Sequence, residues 1–495
     1  MKLIQILVII TGLTMCTSCS PAVRKSAASE VSEQMKKSLV NLRISVEGYE
    51  SLQPWKQKDV TQKIGYGCAV GPYLILTTAD SAVNATIIQA RRYDKNEFIP
   101  ATIKAVDYEC NLCLLELDKN AAGQPFEPVT FTDEYQPEKE LFVYWLSTGS
   151  HLTTARGILD RAQYEPNPIS YNRTLYYVLT NPSRAASQAH VVFDGRKAVG
   201  IVSWAGSSEV GVIPAESINR FMKAAQRPQY KGFGAVGFEV YALLDPAVRK
   251  SLKMPEDIQH GVYVSKVYIL GTGSTELKAG DVILAIGGKT LNPYGRYLHE
   301  RYDRLALDHL ITTRMPGEKI PFEIFRDGAK ITLDVEVKNF DAVDMLVPGY
   351  EYDKQPEYMV FGGYVFQKLT RDYFLLWGDN WPGKASPHLY QYYLNNAFNP
   401  TEDRKDIVIL SYVLPAPLNL GYQEQGRIVV STWNGMKIRK FSDIKTARTL
   451  NPDSPFDVVE FELDNPKIVI PRQMAAMYDP QIAKIYGIQK MENIK

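Results

Sequence analysis

Short runs of apolar residues separated by turn residues dominate positions 38–227. Segment 40–46 alternates apolar and polar side chains, and 99–106 and 112–117 are further short apolar segments. Alternation with a period of two is typical of strands with one buried face, whereas few stretches here repeat with the period of a helix. The pattern therefore predicts an all-β region, built as a pair of β-barrels or as a β-sandwich.

The pattern changes after Pro228, at the end of a short segment with the composition of a linker. Two stretches with helical periodicity, 244–252 and 302–313, precede two apolar strands at 320–326 and 330–337. A mixture of short helices and strands predicts a separate α+β domain in this part of the chain.

The first residues form an apolar segment, 3–13, that is too short to span a membrane as a mature helix. Small residues then precede Cys19, with Ser18 directly before it, as in a bacterial lipoprotein signal. The pattern predicts a lipoprotein signal peptide over 1–19 with acylation at Cys19, and an ordinary cleaved signal peptide is the alternative. Small polar residues over 20–37 predict a tether. The chain is therefore expected to be a membrane-anchored periplasmic lipoprotein of the bacterial cell envelope.

Length, charge and cysteine content limit the possible cofactors and partners. The chain has 495 residues, enough for about three domains, and 45% of them are hydrophobic. The formal net charge of +1 gives no reason to expect nucleic acid as a partner. Cys110 and Cys113 have the spacing of a zinc or redox pair, but no second pair follows, so no metal or cofactor is expected. Together with Cys68 they are predicted to be buried free thiols, with one disulfide involving Cys68 as the alternative.

Positions 65–83 predict two short strands joined by a Gly-Pro turn, followed by a turn of small residues. This segment resembles the first signature of the Deg (HtrA-type, Do-like) serine proteases, in which the catalytic histidine follows the second strand. Asp80 occupies the position of that histidine. The segment 107–117 resembles the family's run that carries the aspartate orienting the histidine, and Asn111 occupies the position of that aspartate.

The flanks of segment 179–201 resemble the nucleophile region of the same family, but its centre does not. Alignment on residues 199–201 places Ser187 at the nucleophile, whereas alignment on residues 181–182 places Ala185 there; Ser187 is the preferred assignment. The loop around Ser187 contains no glycine. A pair of backbone N–H groups that would form an oxyanion hole is therefore harder to build.

These substitutions affect every step of serine-protease chemistry. A serine hydroxyl becomes a good nucleophile only when a positioned histidine takes its proton and a carboxylate holds that histidine. Asp80 cannot return a proton to a leaving amine at neutral pH as imidazole does, and Asn111 lacks the negative charge. We therefore predict a catalytically inactive protease homologue, a scaffold rather than an enzyme. The alternative is an active serine endopeptidase with a rearranged site, in which His151 or His190 is the base for Ser187.

The stretch Leu-Lys-Ala-Gly-Asp-Val-Ile at 277–283, with its neighbouring strands, resembles a PDZ domain over 229–339. Such domains bind a peptide as an added strand and hold its terminal carboxylate with backbone N–H groups. The resemblance implies that Val236, Gly237 and Phe238 form the peptide-binding loop and that the partners are peptides or misfolded proteins. The alternative is a PDZ fold used only for packing.

Segment 358–370, with its Phe-Gly-Gly and Val-Phe elements, resembles the motif of plant-type Deg proteases that carry a second, modified PDZ domain. The resemblance continues through several later strands and places this domain at 355–490. It implies a mostly β chain: a trypsin-like double β-barrel at 38–227 followed by two PDZ-type α+β domains. It also implies a homo-oligomer built from trimers.

Overall fold

The computed structural model of this protein describes residues 27–495 apart from Pro168, Gln229, Tyr350 and Asp379. It confirms the predicted mostly β fold, because two closed six-stranded barrels are followed by two smaller mixed domains. The predicted signal peptide and its acylation site, Cys19, lie outside the described residues. Within the described part, no helix has both the length and the apolar character needed to cross a membrane.

A helix occupies the second half of the segment predicted to be a tether. Helix α1 (Ala27–Ser38) buries Val31 and Met35, which expose only 2% and 0% of their surfaces. These residues are four apart and lie on one face of the helix. The surrounding residues are mostly small or polar, so composition alone did not indicate a helix with a buried face. Residues 27–37 are therefore a folded part of the first domain, and the tether prediction is corrected there.

The first barrel contains β1 (Leu39–Val46), β2 (Thr61–Gly71), β3 (Leu74–Thr77), α2 (Ala79–Ala82), β4 (Ala85–Arg92), β5 (Ile99–Asp107), β6 (Leu112–Leu117) and α3 (Lys119–Ala122). Its strands close antiparallel in the order β1-β2-β3-β6-β5-β4. Leu42, Ile75 and Leu115 are among the buried side chains of its core. The short helix α2 follows β3 at the rim of the barrel.

The second barrel contains β7 (Glu140–Leu146), β8 (Leu152–Pro166), β9 (Arg173–Thr180), β10 (Val191–Asp194), β11 (Lys197–Ala205), β12 (Glu209–Pro214) and α4 (Ala215–Ala224). The strands close in the order β10-β11-β12-β9-β8-β7. Gly200 allows β11 to approach β12 closely, since a Cβ at this position would lie 2.4 Å from the carbonyl oxygen of Ile213.

The middle domain contains β13 (Phe238–Ala242), α5 (Pro246–Ser251), β14 (Val262–Val267), β15 (Val282–Ile286), β16 (Lys289–Thr290), β17 (Arg296–His299), β18 (Asp303–Ala306), α6 (Asp308–Thr312), β19 (Lys319–Arg326) and β20 (Ala329–Glu336). Its sheet has the order β13-β14-β15-β19-β20, with β13 at one edge. The helix predicted at 302–313 is shorter than expected, because residues 303–306 pair with β17 in a hairpin.

The C-terminal domain contains β21 (Tyr358–Phe361), β22 (Tyr364–Lys368), α7 (Pro387–Asn396), β23 (Val408–Val413), β24 (Ile428–Trp433), β25 (Met436–Lys437), α8 (Asp443–Thr449), β26 (Phe456–Phe461), β27 (Ile468–Pro471), α9 (Arg472–Tyr486) and β28 (Glu492–Asn493). Three short 3₁₀ helices lie at Arg371–Trp377, Trp381–Gly383 and Pro417–Asn419. The main sheet has the order β27-β26-β24-β23-β22-β21-β28. The fully buried Trp433 packs against Phe366 at its centre, with ring centroids 4.9 Å apart.

Polar side chains fasten the middle domain to the second barrel. Glu216 of α4 binds two groups of the middle domain: His309 Nε2 lies 3.0 Å from Oε1, and the Tyr302 hydroxyl donates to Oε2 at 2.8 Å. Tyr164 of β8 also exchanges a hydrogen bond with Thr312, 2.9 Å away. Burial alone would raise the pKa of Glu216, but its bonds to His309 and its neighbouring charges lower the pKa. The carboxylate is therefore charged in the docked arrangement.

The C-terminal domain is fastened to the first barrel. Asn84 and Asp353 exchange two hydrogen bonds between backbone N–H groups and side-chain oxygens, at 2.7 and 2.9 Å. The loop between β1 and β2 reaches the other side of this domain, where Trp55 Nε1 donates to the carbonyl of Tyr486 at 3.1 Å. These contacts join the first and last thirds of the chain.

Gly200→Ala is expected to destabilise the protein by about 1–3 kcal/mol, because the added Cβ meets backbone atoms that cannot move aside cheaply. Thermal unfolding followed by circular dichroism would show a lower melting temperature. Gly383→Ala is the matched control, since a Cβ there meets nothing within 4 Å. Equal losses for the two variants would contradict this explanation.

Candidate functional site

Two of the three positions predicted from the protease resemblance are in direct contact. The backbone N–H of Asp80, in the first turn of α2, donates to Asn111 Oδ1 at 3.0 Å. Asn111 Nδ2 in turn donates to Ser203 Oγ of β11 at 3.0 Å. Asn111 is buried and has φ of 55°, a left-handed conformation that asparagine adopts more readily than most residues. Its amide group therefore ties the two barrels together.

The Asp80 carboxyl group is in a poor position to act as a base. Its Oδ1 atom is buried and has no hydrogen-bond partner among the described residues. Burial raises the pKa of Asp80, and hydrogen bonding from Thr78 and the nearby charge of Lys63 oppose this shift only in part. The Lys63 ammonium lies close by and donates to the Asp80 carbonyl at 3.0 Å, while burial lowers the pKa of Lys63.

Ser187 lies in an exposed loop that retains a glycine-type backbone conformation without a glycine. His190 N–H closes this turn on the Ser187 carbonyl at 3.3 Å, and Ala189 N–H donates to Val202 O at 2.7 Å. Ala189 has φ of 61°, a region that favours glycine. The loop thus holds the polypeptide close to β11, and the alanine carries some backbone strain.

His190 is held as a neutral packing residue. Its Nδ1 atom accepts the backbone N–H of Ser187 at 3.2 Å, so in the neutral ring the proton is on Nε2. The ring stacks on Trp145, 4.4 Å away at 5°, and its edge faces Tyr66. Burial lowers the pKa of His190 to about 3. A histidine with this geometry cannot take the proton of the Ser187 hydroxyl without first breaking the bond to the Ser187 backbone.

The structure brings the predicted site residues to neighbouring positions and links Asp80 to Asn111, but it links Ser187 to neither of them. Ser203, which binds Asn111, directly follows Val202, which pairs with the Ser187 loop. Among the described residues, no hydrogen bond connects the Ser187 hydroxyl to Asp80 or Asn111. The exposed His151 directly precedes β8 on a separate turn, where its N–H donates to Ser147 Oγ at 3.2 Å.

Sequence reasoning did not identify Lys63 or Ser203 as part of this site. Lys63 lies in a polar stretch at the start of β2 that has no distinguishing spacing. Ser203 lies among apolar residues and a glycine at positions 198–205 of β11, and this hydroxyl-bearing residue was the available signal. The three described cysteines, Cys68, Cys110 and Cys113, are all free.

The predicted peptide-binding loop of the middle domain is largely occupied by its own chain. The N–H of Gly237 donates to Thr272 O at 3.0 Å, and those of Gly234 and Ala235 donate to other carbonyls of the domain. Phe238 is 4% exposed, and Val236 is half-buried against the core. The adjacent strand β13 is paired on one side only, by β14.

Comparison with known proteins places these features in a family. Residues 347–493 match the model described as a PDZ domain. The putative protease Do-like 3, mitochondrial, of Arabidopsis thaliana is 25% identical over 84% of this chain and 72% of its own length. The putative mitochondrial protease Do-like 12 of the same plant is 22% identical over 96% of this chain and 88% of its own. Over most of its length the chain is similar to Do-like, HtrA-type serine proteases.

Solved structures with a similar fold include the HtrA-type protease AlgW with a decapeptide. It is 20% identical, has a TM-score of 0.48, and the match covers 64% of this chain and 99% of that one. The relatives also correct one prediction. A bacterial cell-envelope location is contradicted by the Do-like relatives, which are mitochondrial or, for Do-like 2, chloroplastic proteins.

Acidification is expected to destabilise the protein through His190. The pKa of His190 is about 3 in the folded chain and near 6.5 when unfolded, so the unfolded state takes up the proton first as the pH falls. The resulting loss runs from pH 6.5 down to about 3 and reaches about 2 kcal/mol at pH 5. Urea unfolding at pH 7.5 and 5 should show it as a difference between proteins: the parent should lose about 2 kcal/mol more than His190→Phe between the two pH values. His151→Gln, at an exposed histidine, is the control and should keep the full loss.

Proposed function

We propose that this Do-like family member is a non-catalytic protein that binds polypeptides. One observation carries the loss of catalysis: the histidine nearest in sequence to Ser187 uses Nδ1 to accept the Ser187 backbone N–H at 3.2 Å. The position of the catalytic base holds Asp80, whose buried carboxyl oxygen has no partner among the described residues. Triad members act as a unit, so the absence of a base removes most of the rate enhancement.

An active serine endopeptidase with a rearranged site is the second candidate. It would need a base within about 2.6–3.2 Å of the Ser187 hydroxyl, or a movement that brings one there. Lys63 is a further group to consider, because its lowered pKa would favour the neutral amine that a base requires. Its ammonium is bound to the Asp80 carbonyl, however, rather than to Ser187.

Polypeptide binding is proposed for β13, the edge strand of the middle domain. An extended peptide can pair with the free side of such an edge, with main-chain hydrogen bonds supplying affinity. Tyr241 on this strand is 65% exposed and provides an apolar contact beside the edge. The N–H groups of Gly234, Ala235 and Gly237 are already used within the domain, so a terminal carboxylate is expected to contribute little. Assembly from trimers remains a prediction of the family resemblance.

Purified full-length protein is expected to show no degradation of casein or of an unfolded protein. The double variant Asp80→His/Asn111→Asp is also expected to be inactive, because the glycine-free loop leaves the oxyanion donors misplaced. Loss of even one such donor lowers the rate by about 10²–10³. Ser187→Ala and Lys63→Met are the matched controls. Degradation by the parent that Ser187→Ala abolishes would establish the rearranged protease instead.

Peptide binding by full-length protein can be measured by isothermal titration calorimetry with a library of extended peptides. Amidating the C-terminus of the best peptide is expected to change its affinity by less than about fivefold, because β-strand addition depends on main-chain pairing. N-methylation of alternate backbone amides should abolish binding, since it removes the donors to β13. A large loss on amidation would restore the carboxylate-loop assignment of Val236, Gly237 and Phe238.

A further inference from the structure

The connector between β5 and β6, residues 107–111, contacts the second barrel, the linker and the C-terminal region. Both oxygens of the buried Asp107 are bound, Oδ1 by the backbone N–H of Glu109 at 2.8 Å and Oδ2 by the Tyr230 hydroxyl. Tyr230 belongs to the linker that leads into the middle domain. The Tyr108 hydroxyl donates to Asp353 Oδ2 of the C-terminal region at 2.5 Å. Movement of this connector would therefore disturb hydrogen bonds to the linker of the middle domain and to the C-terminal region.

Glu109 is the unsatisfied group in this connector. Its Oε2 atom is buried without a hydrogen-bond partner among the described residues. Its side chain borders a cavity of about 40 Å³ at the junction of the two barrels, the linker and the middle domain. Such a volume is enough for a water molecule, but not for the hydration shell of a carboxylate.

The walls of the junction differ in charge. Phe233, Gly234 and Thr312 form the wall on the linker and middle-domain side and carry no charge. The titratable and charged groups around Glu109 are Tyr164, Arg173 and Arg220, which line the same cavity, its chain neighbours Asp107 and Cys110, and Arg371. Burial, followed by the Asp107 charge, raises the pKa of Glu109 to about 7. Hydrogen bonds from Ser170 and from the Asn172 backbone, together with the charge of Arg371, oppose this only in part.

Of the two arginines that line the cavity, Arg173 binds the middle domain directly, whereas Arg220 binds Glu216 within α4. Arg173 Nη1 lies 3.5 Å from Asp308 Oδ1 on α6 of that domain. Arg220 Nη2 lies 3.7 Å from Glu216 Oε1, the same oxygen that meets His309. A negative charge on Glu109 would compete for both guanidinium groups and draw water into the junction. We expect the uncharged wall, formed by Phe233, Gly234 and Thr312, to move away from Glu109.

We propose that Glu109 is a proton-dependent lock on the docking of the middle domain, closed when its carboxyl group is protonated and loosened when it ionises. No bond is made or broken other than the carboxyl O–H, whose proton passes to solvent. The device is independent of whether the barrels hydrolyse peptides. It would make the orientation of the peptide-binding domain depend on pH near neutrality.

Docking of the middle domain is expected to weaken as the pH rises, because Glu109 has different pKa values in the docked and undocked states. An exposed glutamic acid ionises near pH 4.3, whereas docked Glu109 ionises near 7. The undocked state therefore loses its proton first as the pH rises, and docking weakens progressively between about pH 4.5 and 7. The full shift would correspond to a change in the docking equilibrium of up to about a hundredfold between pH 5 and 8.

Hydrogen–deuterium exchange of the full-length protein tests the lock, read at α4 and α6, the two helices that face each other across the docking surface. Parent and Glu109→Gln are compared at the same pH, so the intrinsic pH dependence of exchange cancels. At pH 8 both helices should exchange about tenfold or more faster in the parent than in Glu109→Gln. At pH 5 the two proteins should agree within about threefold. Strands β23 and β24 of the C-terminal domain serve as an internal reference and should not differ.

A second glutamate variant serves as the control for the lock. Glu116→Gln changes a half-exposed carboxyl on β6 that is bound to Lys104, and it should retain the full pH response of the parent. A parent-to-variant difference of the same size at pH 5 and pH 8 would assign Glu109 a purely structural role and overturn the proposal. Failure of Glu109→Gln to fold would also count against it, because the neutral amide imitates the protonated side chain of the docked state.

Discussion

The buried hydrogen bonds of connector 107–111 are the constraint on which the arrangement of this chain depends. Asp107 receives the linker hydroxyl of Tyr230, Tyr108 reaches Asp353, and Asn111 joins α2 to β11. Asp107 and Asn111 are buried and would be left unpaired in a water-poor environment if their partners moved away, which costs about 1–3 kcal/mol per group. The connector thus links the first barrel to the second barrel, to the linker and to the C-terminal domain at the same time.

The same constraint involves the polar groups at the positions that correspond to the serine-protease site. In a working site the polar groups are directed at each other and at the substrate. Here Asn111 satisfies Asp80 N–H and Ser203, while His190 satisfies the Ser187 backbone and fills an aromatic pocket. The polar groups have become part of the packing between the barrels.

Burial favours the neutral form of two acid–base groups in the barrels, Glu109 and His190. Removing water disfavours whichever form is charged, so it raises the pKa of Glu109 and lowers that of His190. Neutral forms of both groups coexist only in a window between their two pKa values. In mildly acidic to neutral solution, both buried groups are therefore neutral when the barrels and the middle domain are packed together.

Local sequence patterns determined much of this fold. The alternating segments at 40–46 and 112–117 became strands β1 and β6, because strands with buried faces need that periodicity. The prediction that Asp80 and Asn111 occupy triad positions rests on the flanking residues, which set their register. The sequence did not reveal that 27–38 is a helix with two anchoring side chains, or that residues 303–306 pair with β17. Those outcomes depend on partners that are distant along the chain.

Tertiary structure alone decided what the site residues do. Nothing local in the sequence indicates that His190 accepts the Ser187 N–H, that Lys63 meets the Asp80 carbonyl, or that the Gly237 amide is used by Thr272. Nor does it indicate that Glu109 borders a cavity between domains. Hydrogen bonding and desolvation are set by atoms that arrive from other strands. Residue identity and spacing therefore determined the architecture, whereas the protonation and availability of each group were determined only when the domains packed together.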